Sequence, residues 1–217
     1  MSENHERGPF FISLEGGEGA GKSTQIGMLT NWLEELGLNV CQTREPGGSP
    51  EAEEIRDLLV KGEGDRWASM TEALLMTASR AEHVERKIKP ALAEGQWVLC
   101  DRFFDSSVAY QGAGRGLGMS RVKALQELAL GDFKPDLTLI LDLPVTVGLG
   151  RAKAREGAKL ESEDRFEQLD QGFHETLRAA YLEIAANEPG RCVVIDADMS
   201  PDALQSIIRA IITDRLL

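Results

Sequence analysis

Residues Gly16-Gly17-Glu18-Gly19-Ala20-Gly21-Lys22-Ser23 fit the pattern G-x-x-x-x-G-K-[ST]. Glycines let backbone N–H groups converge on phosphate oxygens, and a helix that starts directly after them turns its positive end toward the same anion. The lysine of such a loop bridges the outer phosphates of a nucleotide, and the hydroxyl that follows can ligate Mg²⁺. Ahead of the loop, Phe10-Phe11-Ile12-Ser13-Leu14 is a short apolar run of the kind that forms a strand buried on both faces. Behind it, residues 24–36 carry Ile26, Leu29, Leu33 and Leu36 at helical spacings and stop at Gly37. A strand, a glycine loop and a helix in that order predict a nucleoside triphosphate site.

The elements that must position this loop follow along the chain. Residues 38–43, 97–100, 137–141 and 192–195 are further short apolar runs, two of them ending at an acid, Asp101 and Asp142. Helical patterns lie between them at 51–61, 71–94, 120–130, 144–155, 166–187 and 201–217, the second being one long helix or two joined near Pro90. Residues 156–163 are charged and poorly periodic, and a mobile stretch is expected there. Five strands alternating with helices predict an α/β fold, a five-stranded parallel sheet with helices on both faces. No composition shift marks a boundary, so residues 1–217 are expected to form a single domain.

Charge narrows the function classes. Twenty-four Lys and Arg against 36 Asp and Glu give a net charge of −12, which repels polyanions and disfavours a non-specific nucleic-acid or anionic-membrane binder. An anionic ligand must then be held by a local positive cluster. Cys41, Cys100 and Cys192 lie in apolar runs with no paired or zinc-like spacing, which predicts buried thiols in a reducing compartment. The polar amino terminus lacks the apolar run of a signal peptide, and no membrane-length apolar stretch occurs, so a cytoplasmic protein is expected. The guanine-reading tetrapeptide N-K-x-D of GTP-binding switches is missing. Open α/β sheets bind ligands at the carboxyl edge of their strands, and Arg44, Asp101 and Arg102 fall there beside the loop.

Beyond the loop, the segments Thr43-Arg44-Glu45-Pro46-Gly47-Gly48, Asp101-Arg102-Phe103, Ala109-Tyr110-Gln111-Gly112-Ala113-Gly114-Arg115-Gly116, Gly131-Asp132-Phe133-Lys134-Pro135-Asp136 and Asp164-Arg165-Phe166-Glu167 occur in order. Together with the loop they resemble bacterial thymidylate kinases over nearly the whole chain. The resemblance implies a P-loop nucleoside monophosphate kinase architecture with a lid at about 151–167. It also implies transfer of the γ-phosphoryl of ATP to dTMP, giving dTDP, with Mg²⁺ as cofactor, and a homodimer formed through helices beside the sheet. In that pattern Gly16, Gly17, Glu18, Gly19, Ala20, Gly21, Lys22, Ser23 and Thr24 hold the donor, and Ser23 and Asp101 hold the metal. Glu18 lies near the sugar and phosphate of the acceptor, and Arg102 grips that phosphate. Arg44, Pro46 and Arg56 belong to the acceptor site, Arg80 contacts the thymine, and Ser107 and Gln111 bond its polar edge. Tyr110 packs under the sugar and disfavours a 2′-hydroxyl.

The loop itself contains no arginine, so Arg151, Arg155 and Arg165 of the lid must bring the transition-state charge. Two features depart from the pattern. Met76 stands where the family commonly stacks a phenylalanine on thymine, and residues 156–163 are longer and more acidic than the expected turn. Met76 therefore leaves room for another nucleoside monophosphate or a deoxynucleoside as acceptor. A nucleotide-dependent switch is the rival from another class, and several arginines gathered on a second anion site argue against it.

Overall fold

The structure, a computed structural model, describes residues 8–61, 66–156 and 170–217. Five strands, β1 (Phe11–Gly16), β2 (Val40–Arg44), β3 (Trp97–Asp101), β4 (Leu137–Asp142) and β5 (Cys192–Asp196), form one parallel sheet in the order β2-β3-β1-β4-β5. β1 is central, so the chain leaves it toward β3 on one side and toward β4 on the other. The crevice created by that reversal opens at the carboxyl end of β1, where the glycine loop begins.

Alternation along β1 divides the core into two layers. Ile12 and Leu14 face α1 (Lys22–Glu35) and α9 (Pro201–Arg215), packing with Ile26, Leu29 and Leu33 of the first and Leu204, Ile208 and Ile212 of the second. Phe11 faces α8 (Gln171–Asn187) and packs with Leu177, Tyr181 and Ile184. Ser13 and Glu15 share the face of Phe11 by the period of two, which puts two polar groups into a buried layer. Ser13 is satisfied by Thr138 on β4 at 2.8 Å, and Thr138 accepts from Arg191 at 2.6 Å. Arg191 in turn grips Asp105 through both terminal nitrogens, at 2.7 and 2.9 Å.

The helices α2 (Pro50–Val60), α3 (Ser69–His83), α6 (Met119–Leu130) and α7 (Val145–Glu156) complete the expected set within a few residues of the sequence reading. The expected 71–94 segment is two helices joined near Pro90, the second of the two readings. The first, α3, passes through a π-helical turn, Val84–Ile88, into α4 (Lys89–Ala93), and Pro90 sits in the first turn of α4, where a missing N–H costs least. A short helix α5 (Phe104–Ser107) and a π-helical stretch, Val108–Gly114, follow β3 where the sequence predicted no element. Cys100 and Cys192 are buried as expected, whereas Cys41 on β2 is only half-buried; all three are free thiols. Among the described residues no helix is long and apolar enough to cross a membrane.

Candidate active site

The glycine loop joins β1 directly to α1. Gly21, at φ 91°, caps the helix, so Lys22 and Ser23 stand in its first turn. Gly19 lies at φ 69° against the backbone of Gly148 on α7, where a Cβ would run into the Gly148 carbonyl. Both positions need glycine because the left-handed region penalises a side chain. Ala20 is buried beneath the loop, and Thr24 points to solvent. The Lys22 ammonium folds back and donates to the carbonyls of Gly16 and Gly17 at 3.1 and 2.9 Å. Burial first, and then the Arg102 guanidinium, lower its pKa below the ordinary lysine value.

Ser23 and Asp101 meet across two elements. Leu14 and Asp101 are partners in the β1–β3 register, so the end of β3 lies alongside the loop, and the Ser23 hydroxyl donates to Asp101 Oδ2 at 2.6 Å. This pair of hard oxygen donors fits Mg²⁺, which takes few protein ligands and completes its shell with water and phosphate. The described residues contain no cluster of three or more His, Cys, Asp and Glu that could cage a metal alone.

Next along the chain, Arg102 is the only non-glycine among the described residues with a positive φ, 69°. Its Nη2 donates to Glu18 Oε1 at 2.6 Å, and its Nη1 donates to the Gly16 carbonyl at 3.0 Å and to the hydroxyls of Ser106 and Tyr181, each at 3.2 Å. The guanidinium lies 5.1 Å over the ring of Tyr110, whose hydroxyl donates to Glu18 Oε1 at 2.8 Å. Burial pushes the Glu18 carboxyl up, but Arg102, Lys22 and the Tyr110 hydroxyl more than offset it and hold the group at about 2. Loop acid and arginine thus form an ion pair beside Lys22, with the Tyr110 hydroxyl, which burial keeps protonated, bonded to it.

A second group surrounds α3. Arg80 is buried and donates to Glu45 at 2.6 Å, to Gln126 at 3.0 Å and to the Phe103 carbonyl at 3.2 Å. Three of the five N–H groups of a guanidinium are therefore spent on protein acceptors. Glu45 also meets His83 at 3.0 Å, and the other ring nitrogen of His83 lies 2.7 Å from the Thr43 hydroxyl. Gln111 donates to Glu72 at 3.0 Å, Ser107 is buried four residues before it, and Met76 packs with Leu59 and Val60. Arg56 donates to the Pro46 carbonyl at 2.7 Å, bringing two acceptor-site candidates together, while Arg44 forms an exposed pair with Glu53 at 3.2 Å.

A cleft of about 390 Å³, open to solvent, is bordered by Gly17, Glu18, Asp142, His174 and Arg178. Asp142, at the end of β4, takes both a 2.7 Å and a 2.8 Å hydrogen bond from Arg178. Of the lid candidates, Arg151 pairs with Asp198 at 3.2 Å and with the Ala197 carbonyl at 3.3 Å, on the loop between β5 and α9. The side chain of Arg155, the whole of Arg165 and the charged 157–163 stretch lie outside the described residues, as does most of the expected lid. Sequence reasoning assigned no role to Glu15, Glu45, Glu72, Ser106 or Tyr181, all of which organise the site. Glu15 was the most legible of them, the one charged residue in the strand Phe11–Gly16.

Comparison with known proteins decides what this geometry belongs to. The family model described as thymidylate kinase matches residues 14–208. The chain belongs to the thymidylate kinase family. A thymidylate kinase of Caulobacter vibrioides is 58% identical over 207 residues, covering 95% of this chain and 97% of the relative. One from Bradyrhizobium sp. strain ORS 278 is 52% identical over 214 residues, covering 97% and 94%. The crystal structure of thymidylate kinase from Ehrlichia chaffeensis superposes with a TM-score of 0.75 at 33% identity, covering 94% of this chain and 99% of that one. The thymidylate kinase family thus accounts for the parallel sheet, the glycine loop and the segments that follow it.

Proposed function

We propose that the protein transfers the γ-phosphoryl group of ATP to the 5′-phosphate of dTMP, giving dTDP and ADP, with Mg²⁺. The observation that carries this reading is the adjacency of two anion sites. Lys22 stands by the Ser23–Asp101 pair at the start of α1 and shares the Gly16 carbonyl with Arg102, at 3.1 and 3.0 Å, while Arg102 and Tyr110 meet on Glu18 Oε1. Bringing two polyanions together is chiefly a matter of positioning and charge neutralisation. Lys22 leaves the Gly16 and Gly17 carbonyls to meet the outer phosphates of the donor, and loop N–H groups surround them. Bound Mg²⁺, held by Ser23 and Asp101, supplies further neutralisation of the transferring group. Arg102 grips the acceptor phosphate while Glu18 fixes the guanidinium and faces the sugar.

Tyr110 packs under that sugar. Arg80, oriented by Glu45, reads the thymine together with Ser107 and Gln111, and Met76 gives its ring an apolar wall. Arg44, Pro46 and Arg56 border the acceptor phosphate. Arg151, Arg155 and Arg165 belong to the lid that completes the positive charge and excludes water. The reading includes a cytoplasmic homodimer built on α3. Chromatographic identification of the product from dTMP and Mg-ATP tests the reaction. Stoichiometric dTDP and ADP are expected, and ADP formed without any dTDP would contradict it.

A further inference from the structure

The Glu15 carboxyl is fully buried, and each of its side-chain hydrogen bonds goes to a group next to or bonded to Arg102. Its Oε1 accepts the Phe103 backbone N–H at 2.7 Å. Its Oε2 accepts the Ser106 hydroxyl at 2.6 Å and the Tyr181 hydroxyl at 3.4 Å. Those two hydroxyls lie 2.9 Å apart, and both accept from Arg102 Nη1. The backbone around Arg102 is likewise fastened to β1, because the Arg102 N–H donates to the Leu14 carbonyl at 3.0 Å. A non-glycine residue with positive φ persists only where its surroundings over-determine it, and Glu15 supplies one of the two flanking bonds here.

We infer that Glu15 is a positioning residue: its buried carboxyl fixes the left-handed turn at Arg102 and the Ser106–Tyr181 hydroxyl pair on which the guanidinium rests, and so aims Arg102 at the acceptor phosphate. The inference rests on the reading of Arg102 as the grip on that phosphate. An acid serving only the fold has no reason to favour one substrate over the other. The side-chain hydrogen bonds of Glu15 go to Phe103, Ser106 and Tyr181, which surround Arg102, whereas it makes none to Lys22, which donates to the carbonyls of Gly16 and Gly17 and meets Glu15 through its charge alone.

The test is steady-state kinetics of the full chain with ATP and dTMP varied separately. Glu15→Ala is expected to lower kcat/KM for dTMP by about 30-fold with KM for ATP within about twofold, and Glu15→Gln to restore most of the loss. Tyr181→Phe, which leaves the buried carboxyl in place, is expected to raise KM for dTMP by about threefold. In an Arg102→Ala background, Glu15→Ala should add less than about twofold, because residues that act through one another are not additive. Equal losses toward both substrates, or full multiplication of the two single effects, would overturn the inference. If Glu15→Ala does not fold, Tyr181→Phe carries the same comparison, and unchanged dTMP kinetics in it would overturn the inference. Should Arg102→Ala itself leave dTMP kinetics intact, the reading of Arg102 fails and this inference falls with it. A large Arg102→Ala effect beside a silent Glu15 overturns the inference alone.

Discussion

The Ser23 hydroxyl donates to Asp101 Oδ2 at 2.6 Å, tying the first turn of α1 to the end of β3. Two residues 78 positions apart thereby present one hydroxyl and one carboxylate at the mouth of the glycine loop. Asp101→Asn keeps the shape but removes the charge that attracts a divalent ion. It is expected to raise the Mg²⁺ concentration for half-maximal rate by roughly 10- to 100-fold, the range that groups around a metal commonly command. A Mg²⁺ titration identical to that of the unaltered chain would contradict the assignment.

Among the described residues, Lys22 and Arg102 are the two cations to which the proposed function gives the donor and acceptor phosphates. Loss of one positioned charge or donor in a water-poor site costs roughly 10²- to 10³-fold in kcat, or about 3–4 kcal/mol. Lys22→Ala and Arg102→Ala should each fall in that range, with circular dichroism unchanged. Near-normal turnover in either would show that the site has been misplaced.

Gly19 tests the loop geometry without touching a charged group. At φ 69° and against the Gly148 carbonyl, an alanine meets both left-handed strain and a backbone clash. The conformational part alone is worth about 1–2 kcal/mol. Gly19→Ala is therefore expected to lower the thermal midpoint and weaken ATP binding. A midpoint equal to that of the unaltered chain would refute the packing of α7 on the loop.

A pH dependence follows from Glu15. Burial, and after it the Asp105 carboxylate, pushes this carboxyl from the ordinary 4.5 up to about 8. Asp105 and Ser106 face it from α5, Arg102 from the turn after β3 and Tyr181 from α8, and Lys22, Cys100 and Cys192 feel its charge from α1, β3 and β5. An acid with a raised folded pKa holds its proton in the native state after the unfolded chain has lost it. Its contribution is complete below about 4.5 and is lost as the pH rises through about 8. Urea unfolding should show Glu15→Gln gaining stability relative to the unaltered chain across that interval, by at most about 1.4 kcal/mol per pH unit. A difference independent of pH would contradict the shift.

How much of this was legible varied with the range of the forces involved. The glycine loop, Ser23 and the strand-end residues Asp101 and Arg102 were readable because a local pattern of glycines and apolar runs dictates a strand, a turn and a helix. The turns after β3 were not. Ser106-Ser107-Val108-Ala109-Tyr110-Gln111-Gly112 has little intrinsic helicity, and packing against α6 and α8 supplies what propensity does not. Arg80 was read as a base contact from its place in a family pattern. Its ion pair with Glu45 and its bond to Gln126 depend on residues 35 and 46 positions away, which no local signal announces.

The central claim is the choice of acceptor. ADP release should be followed with Mg-ATP and a panel of dTMP, dUMP, UMP, dCMP, dGMP, AMP and thymidine. The site described here predicts the highest kcat/KM for dTMP, with UMP and AMP far behind, because Tyr110 disfavours the 2′-hydroxyl and Arg80 and Gln111 read the pyrimidine edge. A higher kcat/KM for any other acceptor would contradict that assignment, and Met76 would be the first residue to re-examine.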